Sequence, residues 1–213
     1  MHVTVVAKAP VPGRVKTRLC PPCTPHQAAD IATAAIADTL DAIDATLDVT
    51  TRRVLLLDGD AQPWMPAHWK VIPQRGHGLG ERLRNGFADL GPGIITGMET
   101  PHVAGLLADA LRSVAHGIDV IGLADDGGYW TIGLSSRTIV RLDKVFDGVP
   151  MSTSSTGELQ VARLRALGAI HLLPTARDLD TIDDLRAVAT SHRAGRLPEL
   201  ARSIVRSDRL APG

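Results

Sequence analysis

Val6-Ala-Lys-Ala-Pro-Val-Pro-Gly-Arg-Val-Lys-Thr-Arg-Leu19 follows an apolar run at Val3, Val5 and Val6. The run has the character of a buried first strand, and the loop that leaves it carries Lys8, Arg14, Lys16 and Arg18. Pro10 and Pro12 each fix φ and remove an N–H donor, while Gly13 leaves one point of backbone freedom. A stiff cationic loop at the end of a buried strand points to an anionic ligand. A solvated basic turn is the competing reading.

Working outward, the chain alternates strands and helices. Pro25 to Leu47 places Ile31, Ala35, Ile36, Leu40, Ile43 and Leu47 at helical spacing, and Val54–Leu57 is a short apolar strand ending in Asp58-Gly-Asp60. Trp69–Ile72 reads as a third strand, and Gly76-His-Gly-Leu-Gly-Glu-Arg82 opens a helix to about Leu90. Gly93–Thr96 is a fourth strand, followed by a long helix from Pro101. Val120–Leu123 and Ile132–Leu134 flank Asp125-Asp-Gly-Gly128; Glu158–Leu167 is helical, Ala169–Leu173 a last strand, and an acidic helix starts at Asp180 or Thr181. Strand and helix in alternation predict one α/β domain over residues 1–190 with a mostly parallel sheet. Residues 191–213 are expected to be a peripheral helical tail.

Composition narrows the function classes. The 213 residues carry 23 basic and 23 acidic side chains, so no global field attracts nucleic acid, and 3% aromatic content leaves few stacking platforms. No apolar stretch approaches the roughly 20 residues needed to span a bilayer. With two cysteines and no secretory pattern, a cytoplasmic protein with no nucleic-acid or membrane partner is expected. Cys20-Pro-Pro-Cys23 has redox spacing and His26 follows it, but no second Cys/His pair completes a structural zinc site.

Familiar phosphate motifs fail on spacing. Gly76, Gly78 and Gly80 lack the interval of a dinucleotide fingerprint, and Gly13 to Thr17 lacks the earlier glycine of a P-loop. Glycines beside a helix N-terminus still allow a phosphate or a base to approach the backbone, which makes Gln74, Gly78 and Gly80 candidates alongside Lys8, Pro12, Gly13, Arg14, Lys16 and Arg18. Glu99 stands just past the carboxyl end of a buried strand, where open parallel sheets bind ligands, and suits a divalent cation; it, or Thr100, also suits a helix cap. Asp125 and Asp126 precede two glycines, as an acid pair or as an ordinary hairpin turn.

Ala7 to Leu19, Gly78-Leu-Gly-Glu-Arg82, Gly97-Met-Glu-Thr-Pro101, Asp126-Gly-Gly-Tyr-Trp-Thr-Ile-Gly-Leu134, Val145-Phe-Asp-Gly-Val-Pro150 and Leu179-Asp-Thr-Ile-Asp-Asp-Leu185 together resemble a bacterial family of small GT-A-like transferases. The family is known as DUF2064 or radical-SAM- and selenodomain-associated glycosyltransferases, and is similar also to phospholactate guanylyltransferases. The resemblance implies a Rossmann-like GT-A fold that binds a nucleotide sugar or nucleoside triphosphate with Mg²⁺ or Mn²⁺ and acts on a small-molecule acceptor. Carried over by position, it implies Lys16 and Arg18 at the phosphates with Arg14 assisting, Glu99 and Asp180 at the metal, and Asp126, with Asp125 beside it, at the acceptor. Met98-Glu99 departs from the usual Ser/Thr-Asp, lengthening the carboxylate arm by one methylene. Three readings follow: a glycosyltransferase, a nucleotidyltransferase using a phosphorylated acceptor, and a nucleotide-binding protein without turnover. The sequence leaves the oligomeric state open.

Overall fold

The apolar opening run becomes β1 (His2–Lys8), the strand about which the rest is arranged. In the computed structural model, which describes residues 1–191 and 194–210, β1 pairs in parallel with both β2 (Arg52–Asp58) and β4 (Gly93–Gly97). A strand flanked on both edges and covered on both faces must be apolar throughout, and Val3, Val5 and Ala7 are buried together with His2 and Thr4. The polar pair satisfies itself. The Thr4 hydroxyl lies 2.8 Å from His2 Nδ1, and His2 Nε2 donates to the Gly91 carbonyl at 3.1 Å.

The full sheet has seven strands in the order β3-β2-β1-β4-β6-β5-β7, where β3 is Lys70–Pro73, β5 Asp119–Ala124, β6 Tyr129–Leu134 and β7 Ile170–Ala176. Only β6 runs antiparallel, against β4 and β5; the other pairs are parallel. The expected single α/β domain with a mostly parallel sheet is what forms. Asp125-Asp-Gly-Gly128 makes the β5–β6 turn.

Helix α1 (Pro25–Thr46) begins with Thr24, whose hydroxyl accepts from the Gln27 amide while the Gln27 side chain accepts from the Thr24 amide. It is buried on two sides. Ile36, Leu40 and Ile43 join the sheet's core, whereas Ile31, Ala34 and Ala35 pack with Leu19, Leu179, Leu185, Leu197 and Ala201. The last of these belong to α6 (Ile182–Thr190) and α7 (Arg196–Leu210). Of the segment 191–213, α7 packs through Leu197, Ala201 and Ile204 into this second core, while 192–193 and 211–213 lie outside the described residues. Asp38 of α1 anchors it by accepting from the Arg196 and Leu197 amides.

On the sheet's other face α2 (Gly78–Leu90), α4 (Leu142–Phe146) and α5 (Thr156–Leu167) share a core of Leu83, Phe87, Ile121, Phe146 and Leu164. The single long helix expected from Pro101 is divided. Pro101–Leu106 is a 3-10 segment that begins with the Val103 amide bonded to Thr100, and α3 covers only Leu107–Ala115. Gly105 within the run disfavours α-helical conformation there, whereas proline at the first position suits either kind of turn. Among the described residues no helix is long and apolar enough to cross a membrane.

Burial holds the His2 pKa down at about 4, with Arg52 and the chain's amino terminus adding repulsion and the Gly91 bond opposing. The unfolded chain therefore binds the proton first as pH falls, and this part of the stability is lost between about pH 6.5 and 4. We expect acidification from pH 7 to 4 to cost the wild type roughly 3 kcal/mol more than a His2→Gln variant, as measured by urea unfolding. Parallel pH profiles for the two proteins would contradict a neutral buried His2.

Candidate functional site

The strand order makes a crevice at one end of the sheet. The chain leaves β1 toward β2 and reaches β4 on the opposite edge, so the carboxyl ends of β1 and β4 lie side by side at a topological switch point. A cavity of about 420 Å³ opens there, lined by Lys8, Asp58, Gln74, Arg82, the segment 96–100, Tyr129 and Asp178. One wall is rigid. Gln74 Nε2 donates to the Ala7 and Leu56 carbonyls at 2.7 and 3.0 Å, and its Oε1 accepts from Arg82, which also pairs with Asp58 at 2.7 Å.

The other end of the cavity is acidic. Lys16 Nζ is ion-paired with Glu99, donates to Asp180 Oδ1 at 3.1 Å and is bonded to the Leu179 carbonyl. Its side chain is only 4% exposed, and its backbone sits at φ 48°, a left-handed conformation that a lysine keeps only when its surroundings hold it. Burial pushes the Glu99 carboxyl above the usual range, opposed by Lys16 and reinforced by Asp180 and Asp126. Asp178 is pushed up to about 7, by burial first and then by the charges of Glu99, Asp126 and Asp180, with Lys16 again opposing. One ammonium thus partly neutralises several carboxylates. Thr100, 3% exposed and also lining the cavity, holds its hydroxyl without a hydrogen-bond partner.

Of the residues singled out from the sequence, Lys8, Gln74 and Glu99 line the cavity, and Gly78 and Gly80 flank Leu79, which does. Pro12, Gly13 and Arg14 lie on the exposed loop and do not. Lys16 faces the two carboxylates expected to hold a metal, and exposed Arg18 pairs with one of them, Asp180, at 2.9 Å. Asp126 accepts from the Gly128 amide at 2.8 Å, bracing the turn, and its charge acts on Glu99 and Asp178. Asp125 is exposed, and its charge acts on Arg177. Neither lines the cavity. The glycines after them serve close packing: a Cβ on Gly127, at φ +90°, would stand 2.1 Å from the Ser154 carbonyl oxygen. Among the described residues Cys20 and Cys23 form no disulfide, and Cys23 is buried in the second core.

Among the described residues no three His, Cys, Asp or Glu side chains stand together as a metal cage. The donor chemistry nonetheless suits a hard divalent ion: the Glu99 and Asp180 carboxylates converge on one cationic position, held here by Lys16, and the orphaned Thr100 hydroxyl lies beside Glu99.

Four residues of the site escaped the sequence reading. Asp58 reads as the end of a strand before a turn, Arg82 as the close of a motif with no role of its own, Thr100 as a cap and Asp178 as part of an acidic run. The sole signal for the first was its place at a strand's carboxyl end.

Residues 30–153 match the family model described as "Uncharacterized protein conserved in bacteria (DUF2064)". The chain belongs to this family. The match omits the opening loop and the 179–185 segment, but solved structures cover both. A candidate nucleotide-diphospho-sugar transferase from Desulfovibrio desulfuricans G20 is 26% identical over 99% of this chain and 98% of its own, with a TM-score of 0.85. Rv0371c from Mycobacterium tuberculosis H37Rv, in complex with manganese, is 18% identical over 90% of this chain and 99% of its own, with a TM-score of 0.51. A cytidylyltransferase from Leptospira borgpetersenii is 13% identical over 98% and 95%, also at 0.51. These last two are likenesses of fold. A comparison with curated proteins found no match.

Removing the central cation exposes the acidic cluster. Lys16→Met should destabilise the protein by about 2 kcal/mol at pH 8, less than the roughly 3–5 of a fully buried pair because Asp180 is partly exposed. Raised folded-state carboxyl pKa values mean that these groups take up protons before the unfolded chain does, so the penalty should shrink at pH 5. Equal penalties at both pH values, by urea unfolding, would contradict this.

Proposed function

We propose that the protein is a metal-assisted, nucleotide-sugar-dependent glycosyltransferase acting on a small-molecule acceptor. The observation that carries the reading is the cleft at the β1/β4 switch point, which joins a hydrogen-bonded polar wall, through Glu99, to the Lys16–Glu99–Asp180 centre. The likeness to the Desulfovibrio structure over nearly the whole of both chains supports it.

In this reading the nucleotide lies along the carboxyl ends of β1 and β4, and Lys8 and Arg82 supply positive charge for the diphosphate. Glu99 and Asp180 would hold Mg²⁺ or Mn²⁺, which when bound neutralises charge on the leaving diphosphate. The acceptor oxygen forms a bond to the anomeric carbon of the sugar. The bond from that carbon to the diphosphate oxygen breaks, and the nucleoside diphosphate leaves with the electron pair. The acceptor's proton passes to a carboxylate of the cluster: Asp178 borders the cleft, and Asp126 lies within its electrostatic range. Positioning and charge stabilisation carry most of such a reaction.

A thermal-shift screen of nucleotide sugars and nucleoside triphosphates, with and without Mn²⁺, tests the reading. We expect stabilisation by nucleotide sugars, about 2.7 kcal/mol at a hundredfold excess over Kd, with a Mn²⁺ increment that disappears in Glu99→Ala. Turnover should release nucleoside diphosphate. Release of pyrophosphate from a nucleoside triphosphate would instead assign a nucleotidyltransferase, binding without any product would assign a nucleotide-binding protein, and flat responses throughout would sink all three.

A further inference from the structure

Glu99 and Asp178 border not one cavity but two. The second, of about 800 Å³, lies between α1, the 3-10 turn at Pro101, the loop before α6, and the facing ends of α6 and α7. Its volume is within the range of small-molecule sites, and the two cavities meet at the carboxylates of the candidate centre.

Its lining is informative in three ways. Ala42, Pro101, Ala187, Val188, Leu197 and Pro198 give it an apolar part. Its described charged residues are five carboxylates, Asp38, Asp41, Glu99, Asp178 and Asp184, against the guanidiniums of Arg177 and Arg196. Both guanidiniums are engaged in the wall: Arg177 pairs with Asp184 at 2.7 Å, and Arg196 with Asp41 at 2.6 Å and Asp38 at 3.2 Å.

A helix N-terminus is the usual alternative anchor for a phosphate, and here amides at two of them are already bonded. Asp38 takes the Arg196 and Leu197 amides at the start of α7, and the Thr181 hydroxyl takes the Asp184 amide at the start of α6. Among the described lining residues, and with Lys16 offsetting Glu99, a phosphate entering this cavity would meet more negative than positive charge, and amides already bonded at the start of α7. A neutral or cationic group would not.

We propose that the second cavity binds the acceptor, and that the acceptor is a neutral or cationic hydroxyl compound with an apolar body rather than a phosphorylated one. The word acceptor rests on the transferase reading above; the site and its ligand class rest on the cavity itself. The arrangement places donor and acceptor on separate surfaces that share the Glu99–Asp178 boundary.

Three probes with one ring and different heads separate the outcomes: benzyl alcohol, benzylamine and benzyl phosphate, titrated by ligand-observed NMR against the full chain. Wild type is compared with Ala187→Trp, which fills the cavity with an indole, and with Ala187→Leu, a smaller obstruction that serves if the tryptophan variant does not fold. We expect the alcohol and the amine to bind at least tenfold more tightly than the phosphate, and to lose at least tenfold in affinity in the filled variant. The nucleotide-induced thermal shift should be unchanged in that variant, because Ala187 does not line the first cavity. Preferential binding of benzyl phosphate, or alcohol binding that survives in the folded variants, would overturn the proposal. Probe binding without any nucleotide response would uphold the cavity's ligand class while removing the transferase reading, so the two failures are distinct.

Discussion

A single buried ammonium ties the functional end of this molecule together. Lys16 leaves the loop after β1, and its Nζ meets Glu99 at the end of β4 and both Leu179 and Asp180 before α6. These segments are up to 164 residues apart in sequence. Burial raises the carboxyl pKa of Glu99 and of Asp178, and the Lys16 charge opposes both shifts, so the lysine is the condition on which these acids share one place. Its left-handed backbone is consistent with a residue placed for that purpose rather than by local preference.

The position of this centre follows from the sheet and from α1. Strand order sets the crevice at β1 and β4, and the burial of both α1 faces brings α6 and α7 over the same end of the domain. The first relation forms the nucleotide-sized cleft, and the second forms the larger cavity behind Pro101. Their common boundary at Glu99 and Asp178 is a consequence of topology, since β4 feeds one and the β7–α6 connection feeds both.

Much of this was legible in the residues. Alternating apolar runs and helical spacings predicted the parallel sheet, and Val3, Val5 and Leu55–Leu57 occupy the core as their unbroken hydrophobicity requires. Glu99 was identified because a strand's carboxyl end is a position that can be counted along the chain. Lys16 was noticed as a cation and the resemblance implied Glu99 and Asp180 in the same site, but their direct pairing with Lys16 was not legible, because charge pairing across the fold leaves no local pattern. Asp178 stands in an acidic run in which Asp184 serves a helix cap, and its electrostatic coupling to Glu99 sets it apart. The packing of α7 left no local pattern either. Leu197, Ala201 and Ile204 are sparse among polar neighbours, and their burial depends on α1 offering a second apolar face.

The most direct test of the account is a double-mutant cycle between Lys16→Met and Glu99→Gln, read by urea unfolding at pH 8. If the ammonium is what permits Glu99 to be buried ionised, the two losses should be coupled by more than about 1 kcal/mol, with the double variant less destabilised than the sum of the singles. Additive losses would contradict a shared charge centre, and with it the site built upon it.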